Sequence, residues 1–272
     1  MTIDKKCLLN WVGGKRLLRK TIAPLIPKDI QSYIEPFGGG GWILFYKDKW
    51  ADLEIYNDLD SRLVNLFRIV KYHPQAFIDE WQYLLGSREM FLQFLNGTPI
   101  TDIQKAVQFY YLITRSFGGR GDTVGTVKKT SGGICKSHKT IPLKINAIHE
   151  RLDTVMIENR DFEKLIKQYD YEGAFFYCDP PYSKGCGYEV TSTKDFDHER
   201  LREVLGAVKG RFLLSYDDSP KIRELYKGFE MIEVERLNGI NNREGVENRN
   251  KIFKELLIAN YPIRELHERQ SD

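Results

Sequence analysis

A chain of 272 residues is long enough to bury a full core and too long for a disulfide-stapled mini-protein. With 42% hydrophobic and 29% charged residues it has a globular composition, and no apolar run of about 18 residues could span a bilayer as a helix. The N-terminal MTIDKKCLLNWVGGK is too polar for a secretory signal, so a cytoplasmic protein is expected. Cys7, Cys135, Cys178 and Cys186 form no C-x-x-C pair, which fits reduced, packed thiols and predicts no metal site.

The net charge of +3 is unevenly placed. Between Arg115 and Arg151 eight basic residues face only Asp122 and Glu150, so this stretch carries +6 and the rest of the chain −3. It also holds six glycines and little helical periodicity. A basic, glycine-rich inset in an acidic body reads as a nucleic-acid footprint, and equally as a solvated loop.

In chain order, Leu17, Leu18, Ile22 and Leu25 predict a short helix ending before Pro27, and SYIEPF a buried strand. Gly38 to Gly41 make a tight turn, after which WILFYKD has helical spacing. LEIYND reads as a second strand, SRLVNLFRIVKY as a helix, and 74–95 and 102–114 as further helices. Past the inset come a strand at VMIENRD, a helix through Leu165 and Ile166, and the continuously apolar strand of GAFFYCDPPY, expected at the centre of a sheet. HERLREVLGAV (helix), RFLLSYD (strand), SPKIRELYKG (helix), MIEVERL (strand), an Asn-rich loop and the strand KELLIAN close the chain. Alternating strands and helices predict an open, mostly parallel α/β sheet with 115–145 and 238–250 irregular.

Asp179-Pro180-Pro181-Tyr182 follows the most apolar strand, at the strand end where open α/β sheets carry their sites. The prolines stiffen the turn and remove two backbone donors. An acidic acceptor, a rigid carbonyl and an aromatic ring in succession suit a planar amine: Asp179 and the Pro180 carbonyl accept from an exocyclic NH2 while Tyr182 stacks on its ring. Phe37 and the glycines after it allow close backbone approach by a ligand at a helix start, without the dinucleotide G-x-G-x-x-G register. Asp58, after the second strand, is placed to accept from both hydroxyls of a ribose, or else to cap the next helix.

Asn10-Trp11-Val12-Gly13-Gly14-Lys15, Glu35-Pro36-Phe37 with Gly39 and Gly41, Asn57-Asp58, Asp161-Phe162, Asp179-Pro180-Pro181-Tyr182 and Glu255-Leu256-Leu257 resemble, in order, the motifs of Dam-type DNA adenine-N6 methyltransferases, the D12 class of the alpha group. The likeness runs from about residue 8 to 261. It implies a Rossmann-like methyltransferase sheet at 1–60 and 150–272, with a largely helical and looped target-recognition insert at 61–149. It also implies a site-specific enzyme that methylates the N6 amine of a flipped-out adenine in double-stranded DNA from S-adenosylmethionine, with Asp179, Pro180, Pro181 and Tyr182 as the catalytic tetrapeptide.

By the same resemblance Trp11 and Lys15 contact the methionine end of the cofactor, Phe37, Gly39 and Gly41 line its pocket, Asp58 holds the ribose, and Asp161 with Phe162 meets the adenine. Asp179 borders the cofactor as well. Trp11 and Phe37 could equally be core aromatics, and Asp161 a helix cap. Arg115, Arg120, Lys128, Lys129, Lys136 and Lys139 are expected at DNA, either Arg115 or Arg120 at a guanine edge. Asn10, where many members carry a DNA-reading lysine, is counted with them. The Thr114–Asp122 stretch departs from the usual recognition motif, which leaves the DNA sequence read, and any restriction endonuclease partner, open. The competing readings are an N4-cytosine methyltransferase and a catalytically silent DNA-binding regulator of the same fold.

Overall fold

The structure, a computed structural model, describes residues 7–9, 11, 13–125, 140–182, 196–237 and 252–268. In chain order its elements are α1 (Arg19–Ile22), β1 (Ser32–Glu35), β2 (Leu53–Asn57), α2 (Ser61–Tyr72), α3 (Pro74–Gln82), α4 (Arg88–Asn96), α5 (Asp102–Arg115) and α6 (Ile141–Leu152). There follow β3 (Val155–Glu158), α7 (Phe162–Tyr169), β4 (Ala174–Cys178), α8 (His198–Gly206), β5 (Arg211–Asp217), α9 (Pro220–Leu225), β6 (Glu230–Leu237), β7 (Ile252–Ala259) and α10 (Ile263–Glu268). The chain divides into two compact units. A helical unit takes Met1–Gly14, Gly39–Asp48 and Asp58–Asn159, and a sheet unit takes Lys15–Gly38, Lys49–Asn57 and Arg160–Asp272.

Six of the seven strands belong to the sheet unit, in the order β2-β1-β4-β5-β7-β6. The pairs β1–β2, β1–β4 and β4–β5 are parallel, with Ile34 opposite both Ile55 and Phe176, while β7 runs antiparallel to β5 and β6. Every residue of β1 and β4 is buried, as strands covered on both faces require. Period two then sorts β4: Ala174, Phe176 and Cys178 pack on Leu165 and Ile166 of α7, Leu201 and Leu205 of α8 and Ile222 of α9. Phe175 turns the other way, toward Tyr33 and Tyr261, whose hydroxyl donates to the Leu25 carbonyl. The sheet is therefore mixed, parallel through its centre with a reversed strand next to one edge, in a Rossmann-like α/β arrangement.

The helical unit is assembled around α2 and α5. Asp60 caps α2 through the Arg62 amide, and a capping box of Thr101 and Gln104 opens α5. Phe77 and Trp81 of α3 lie against Tyr110 of α5, and Phe94 of α4 meets Tyr111 edge-on.

Several expectations change. The helix expected at WILFYKD is only a single 3-10 turn over Leu44–Tyr46. Trp42, Ile43, Leu44 and Phe45 are all buried, so the segment has no polar face to turn outward as an amphipathic helix would. The segment 74–95 is two helices, because Ser87 caps a new one through the Met90 amide. The first helix is one turn followed by a 3-10 turn, Ala23–Leu25, with Pro24 inside it. Residues 141–145 of the region expected to be irregular begin α6.

Candidate active site and cofactor residues

In the sheet unit the DPPY tetrapeptide leaves β4 at its carboxyl end, where the apolar strand runs out into polar company. Asp179, with 20% of its side chain exposed, has one carboxylate oxygen doubly held: Oδ1 lies 2.7 Å from Lys15 Nζ and accepts from Ser215 Oγ at 3.0 Å. Its Oδ2 carries no such bond among the described residues. Burial raises the carboxyl above the usual aspartate range, and Glu255 adds to that, while Lys15 and Ser215 pull the other way. Pro180 is buried and Pro181 partly so.

Lys15 is only 4% exposed and also lies 3.7 Å from Glu255 Oε2. Its ammonium stands 4.6 Å from the centre of the Tyr182 ring, and the Tyr182 hydroxyl donates to the same Glu255 oxygen at 3.1 Å. The Tyr182 ring is tilted against that of Tyr216, at 5.7 Å. The expectation tied Lys15 to the cofactor; the structure places it among two carboxylates and the stacking candidate.

A second cluster in this unit joins Phe37, Phe162 and Phe196, whose ring centres lie 5.4 to 5.7 Å apart. Asp161 caps α7 through the Glu163 amide and pairs with Arg200, whose guanidinium lies 4.6 Å from the Phe162 ring centre. The helix-cap alternative for Asp161 is therefore realised. Phe196, Arg200 and Ser215 were not singled out by the sequence, and Glu255 entered only within the Glu255-Leu256-Leu257 likeness, without a role of its own.

In the helical unit Asp58 follows β2 in the chain and accepts from two backbone amides, Gly39 at Oδ2 and Asp60 at Oδ1, each at 2.8 Å. It does not cap α2; Asp60 does. Gly39 and Gly41 have φ of +50° and +70°, which side chains other than glycine rarely adopt. At Gly39 a Cβ would also press on the Trp11 indole at 3.2 Å. Trp11 itself packs 5.8 Å from Phe109. Burial pushes the Asp58 carboxyl up to about 6, against the opposing pull of the Asp60 and Gly39 amides.

Of the residues expected at DNA, Arg115 is corrected. It ends α5 only 2% exposed, with its guanidinium 5.8 Å from the Trp81 ring centre and 5.6 Å from that of Tyr111. A cation packed on two aromatic faces inside the helical unit is not presented to a base edge. Arg120 is exposed, just after the 3-10 turn Phe117–Gly119. Asn10, Lys128, Lys129, Lys136 and Lys139 lie outside the described residues.

The sheet unit thus presents a carboxylate held by Lys15 and Ser215, with a tyrosine three residues on, at the carboxyl end of its central strand. The model of the D12 class N6 adenine-specific DNA methyltransferase family matches residues 11–240, and the chain belongs to that family. It is thus an adenine-specific DNA methyltransferase, with DNA as substrate and a methyl donor as second reactant. Among similar proteins, the type II methyltransferase M1.LlaDCHI of Lactococcus lactis subsp. cremoris is 30% identical, covering 95% of this chain and 96% of its own. The type II methyltransferase M.MjaIII of Methanocaldococcus jannaschii is 26% identical over 95% of this chain and 100% of its own. The DNA adenine methylase of Haemophilus influenzae is 24% identical over 84% of this chain and 86% of its own. Among the described residues no helix is long and apolar enough to cross a membrane.

Proposed function

We propose that the chain methylates N6 of an adenine turned out of double-stranded DNA, with S-adenosylmethionine as donor. The observation that carries this reading is the Asp179 carboxylate, pinned at Oδ1 by Lys15 and Ser215 with Oδ2 left to an incoming donor, three residues before Tyr182. The glycine loop fits the donor: its backbone conformation is one that ordinary side chains rarely adopt, and the half-buried Asp58 beside it is an acceptor suited to ribose hydroxyls. In the helical unit Trp11, Gly39, Gly41 and Asp58 are assigned to the cofactor, and in the sheet unit Phe37, Asp161 and Phe162. When bound, the cofactor supplies an electrophilic sulfonium methyl.

The chain's own residues make the amine reactive. The N6 lone pair of adenine is delocalised into its ring, so the nitrogen is a poor nucleophile. Asp179 Oδ2 and the Pro180 carbonyl accept the two N6 hydrogens, which favours a tetrahedral nitrogen with its lone pair free for the methyl group. Asp179 then takes the proton that the methylated amine loses, a task suited to a carboxylate whose proton affinity burial has raised. Tyr182 stacks on the base and offsets part of the few kcal/mol that unpairing costs.

Arg120 and the basic residues of the inset are assigned to the DNA, within a recognition region at 61–149, and the protein acts in the cytoplasm alongside its DNA. The names of several relatives, type II methyltransferases, suggest a role beside a restriction endonuclease. Incubation with duplex DNA and methyl-labelled S-adenosylmethionine, followed by nucleoside chromatography, tests the reading: label in N6-methyladenine is expected. Label in N4-methylcytosine, or no transfer, contradicts it.

Two further outcomes are expected. Tyr182→Phe should keep much of the activity, whereas Tyr182→Ala should weaken binding of the extruded base by about 1–3 kcal/mol, read from the fluorescence of 2-aminopurine at the target position. Equal signals from all three proteins remove the stacking role. For Asp58, a carboxyl raised to about 6 becomes neutral as pH falls through that value and stops serving as a charged acceptor. Cofactor affinity, measured by calorimetry, should therefore weaken below about pH 6 in the parent and lose this step in Asp58→Asn. Because the folded-state value is raised, the parent's stability against Asp58→Asn should decline as pH rises from about 4 to about 6. A pH-independent affinity in the parent would dismiss the ribose assignment.

A further inference from the structure

We infer that Glu255 is a positioning residue for methyl transfer: its carboxylate shares the Lys15 ammonium with Asp179 and holds the Tyr182 hydroxyl, so that both groups facing the adenine are set by one residue of β7. The inference rests on the assignment of Asp179 and Tyr182 given above.

The strand direction explains how Glu255 reaches the site. β4 and β5 are parallel and end at the same edge of the sheet, whereas β7 is antiparallel and begins there. Its early residue Glu255 pairs with Asp217, the last residue of β5. A parallel strand in the same slot would have brought its terminal residues to that edge instead.

Glu255 is 2% exposed on a strand whose next residues are Leu256, Leu257 and Ile258. Burying a carboxylate costs several kcal/mol unless it is paired, and strand packing alone is served as well by a β-branched apolar residue. Here one oxygen, Oε2, meets both Lys15 Nζ at 3.7 Å and the Tyr182 hydroxyl at 3.1 Å. Two consequences follow for the reaction.

The first concerns charge. Lys15 lies 1 Å closer to Asp179, at 2.7 Å, but its ammonium answers to two carboxylates. With the charge of Glu255 removed, Lys15 is no longer shared with it and draws electron density more strongly from the oxygens that must accept the adenine amine. The second concerns orientation. A phenol tethered at its hydroxyl cannot swing about its side-chain bonds, so the Tyr182 ring waits at a fixed tilt, and the base loses less freedom when it stacks.

The test uses the full-length enzyme on duplex DNA, with melting temperature and circular dichroism recorded for each variant. Glu255→Gln keeps an acceptor for the Tyr182 hydroxyl and removes the charge. It is expected to lower kcat by about tenfold or more while KM for DNA stays within about twofold. Glu255→Asp, which keeps the charge at shorter reach, should recover part of the loss, and it carries the test should the glutamine variant not fold. The drop should persist when Glu255→Gln is combined with Tyr182→Phe, because the charge effect runs through Lys15 and not through the hydroxyl.

A parental kcat in folded Glu255→Gln overturns the inference, as does a loss that follows the melting temperature alone. Disappearance of the drop in the Tyr182→Phe background overturns the charge sharing. Asp179→Asn is run alongside: if that variant is active, the assignment of Asp179 fails, whereas an inactive Asp179→Asn beside a fully active Glu255→Gln removes only the role of Glu255.

Discussion

Asp179→Asn is expected to reduce methyl transfer by roughly 10²–10³-fold or more, the range lost when a group that meets developing charge in a buried site is removed. The substitution keeps the size and the reach to Lys15 and Ser215 but makes one arm a donor. Lys15 is itself a donor only, so the amide must turn its oxygen toward the ammonium at 2.7 Å and point its NH2 outward. The adenine amine then meets a donor in place of Oδ2, and two facing donors leave the buried site with an unmade hydrogen bond. Cofactor affinity should change little, and 2-aminopurine fluorescence should still report an extruded base, since neither the glycine loop nor Tyr182 has been altered. Burst kinetics with labelled donor separates the chemical step from product release. A chemical rate near the parent's in the folded variant would rule out Asp179 as the acceptor.

The tetrapeptide was legible in the sequence because every part of it is local: a buried strand ends, two prolines stiffen the turn, and the acceptor and ring lie three residues apart. The same holds for the glycine loop, whose positive φ values at Gly39 and Gly41 only glycine accepts easily. What was not legible comes from distant segments. Ser215 and Glu255 stand on β5 and β7, and only the strand order and the reversal of β7 bring them to Asp179 and Tyr182. Ser215 had a signal in hindsight, as the single hydroxyl in RFLLSYD other than that of its tyrosine, while Glu255, already within the Glu255-Leu256-Leu257 likeness, is the single acidic residue in KELLIAN. The reversal was derivable too: no helix was expected between MIEVERL and KELLIAN, and a parallel return needs a crossover of a dozen or more residues, usually helical.

Charge patterning failed at Arg115 for a different reason. Counting cations along the chain treats each as solvated, but a guanidinium can be buried when aromatic faces replace part of its hydration, as Trp81 and Tyr111 do here. Those rings lie on α3 and α5, and Tyr111 is one helical turn before Arg115. Arg120, five residues on and beyond the helix, keeps its exposure. The distinction is set by where α5 ends, which composition does not report. Lys15 poses the converse case, a residue expected at the cofactor whose surroundings here are carboxylates.

Removing that cation should have the second large effect. Lys15→Met leaves the Asp179 carboxylate at 20% exposure and the Glu255 carboxylate at 2% without the ammonium between them. Breaking a buried ion pair from one side costs about 3–5 kcal/mol, because the remaining carboxylates lose the opposite charge that offsets their desolvation. Chemical denaturation at neutral pH should show a loss of this order. The sign with pH follows from Asp179. Lys15 lowers its proton affinity in the parent, opposing burial, so in Lys15→Met the carboxyl holds its proton to higher pH than before. A folded-state value raised further above the unfolded one means that stability falls as pH rises through the interval between them, so the deficit of the variant should shrink on acidification. Activity should move with the same group. The acceptor must be ionised, so the acid limb of kcat against pH should shift upward in Lys15→Met, with part of the lost rate returning at alkaline pH. An unmoved acid limb in a folded variant would show that Lys15 does not govern the charge of Asp179, and a parental stability would show that the two carboxylates find other partners.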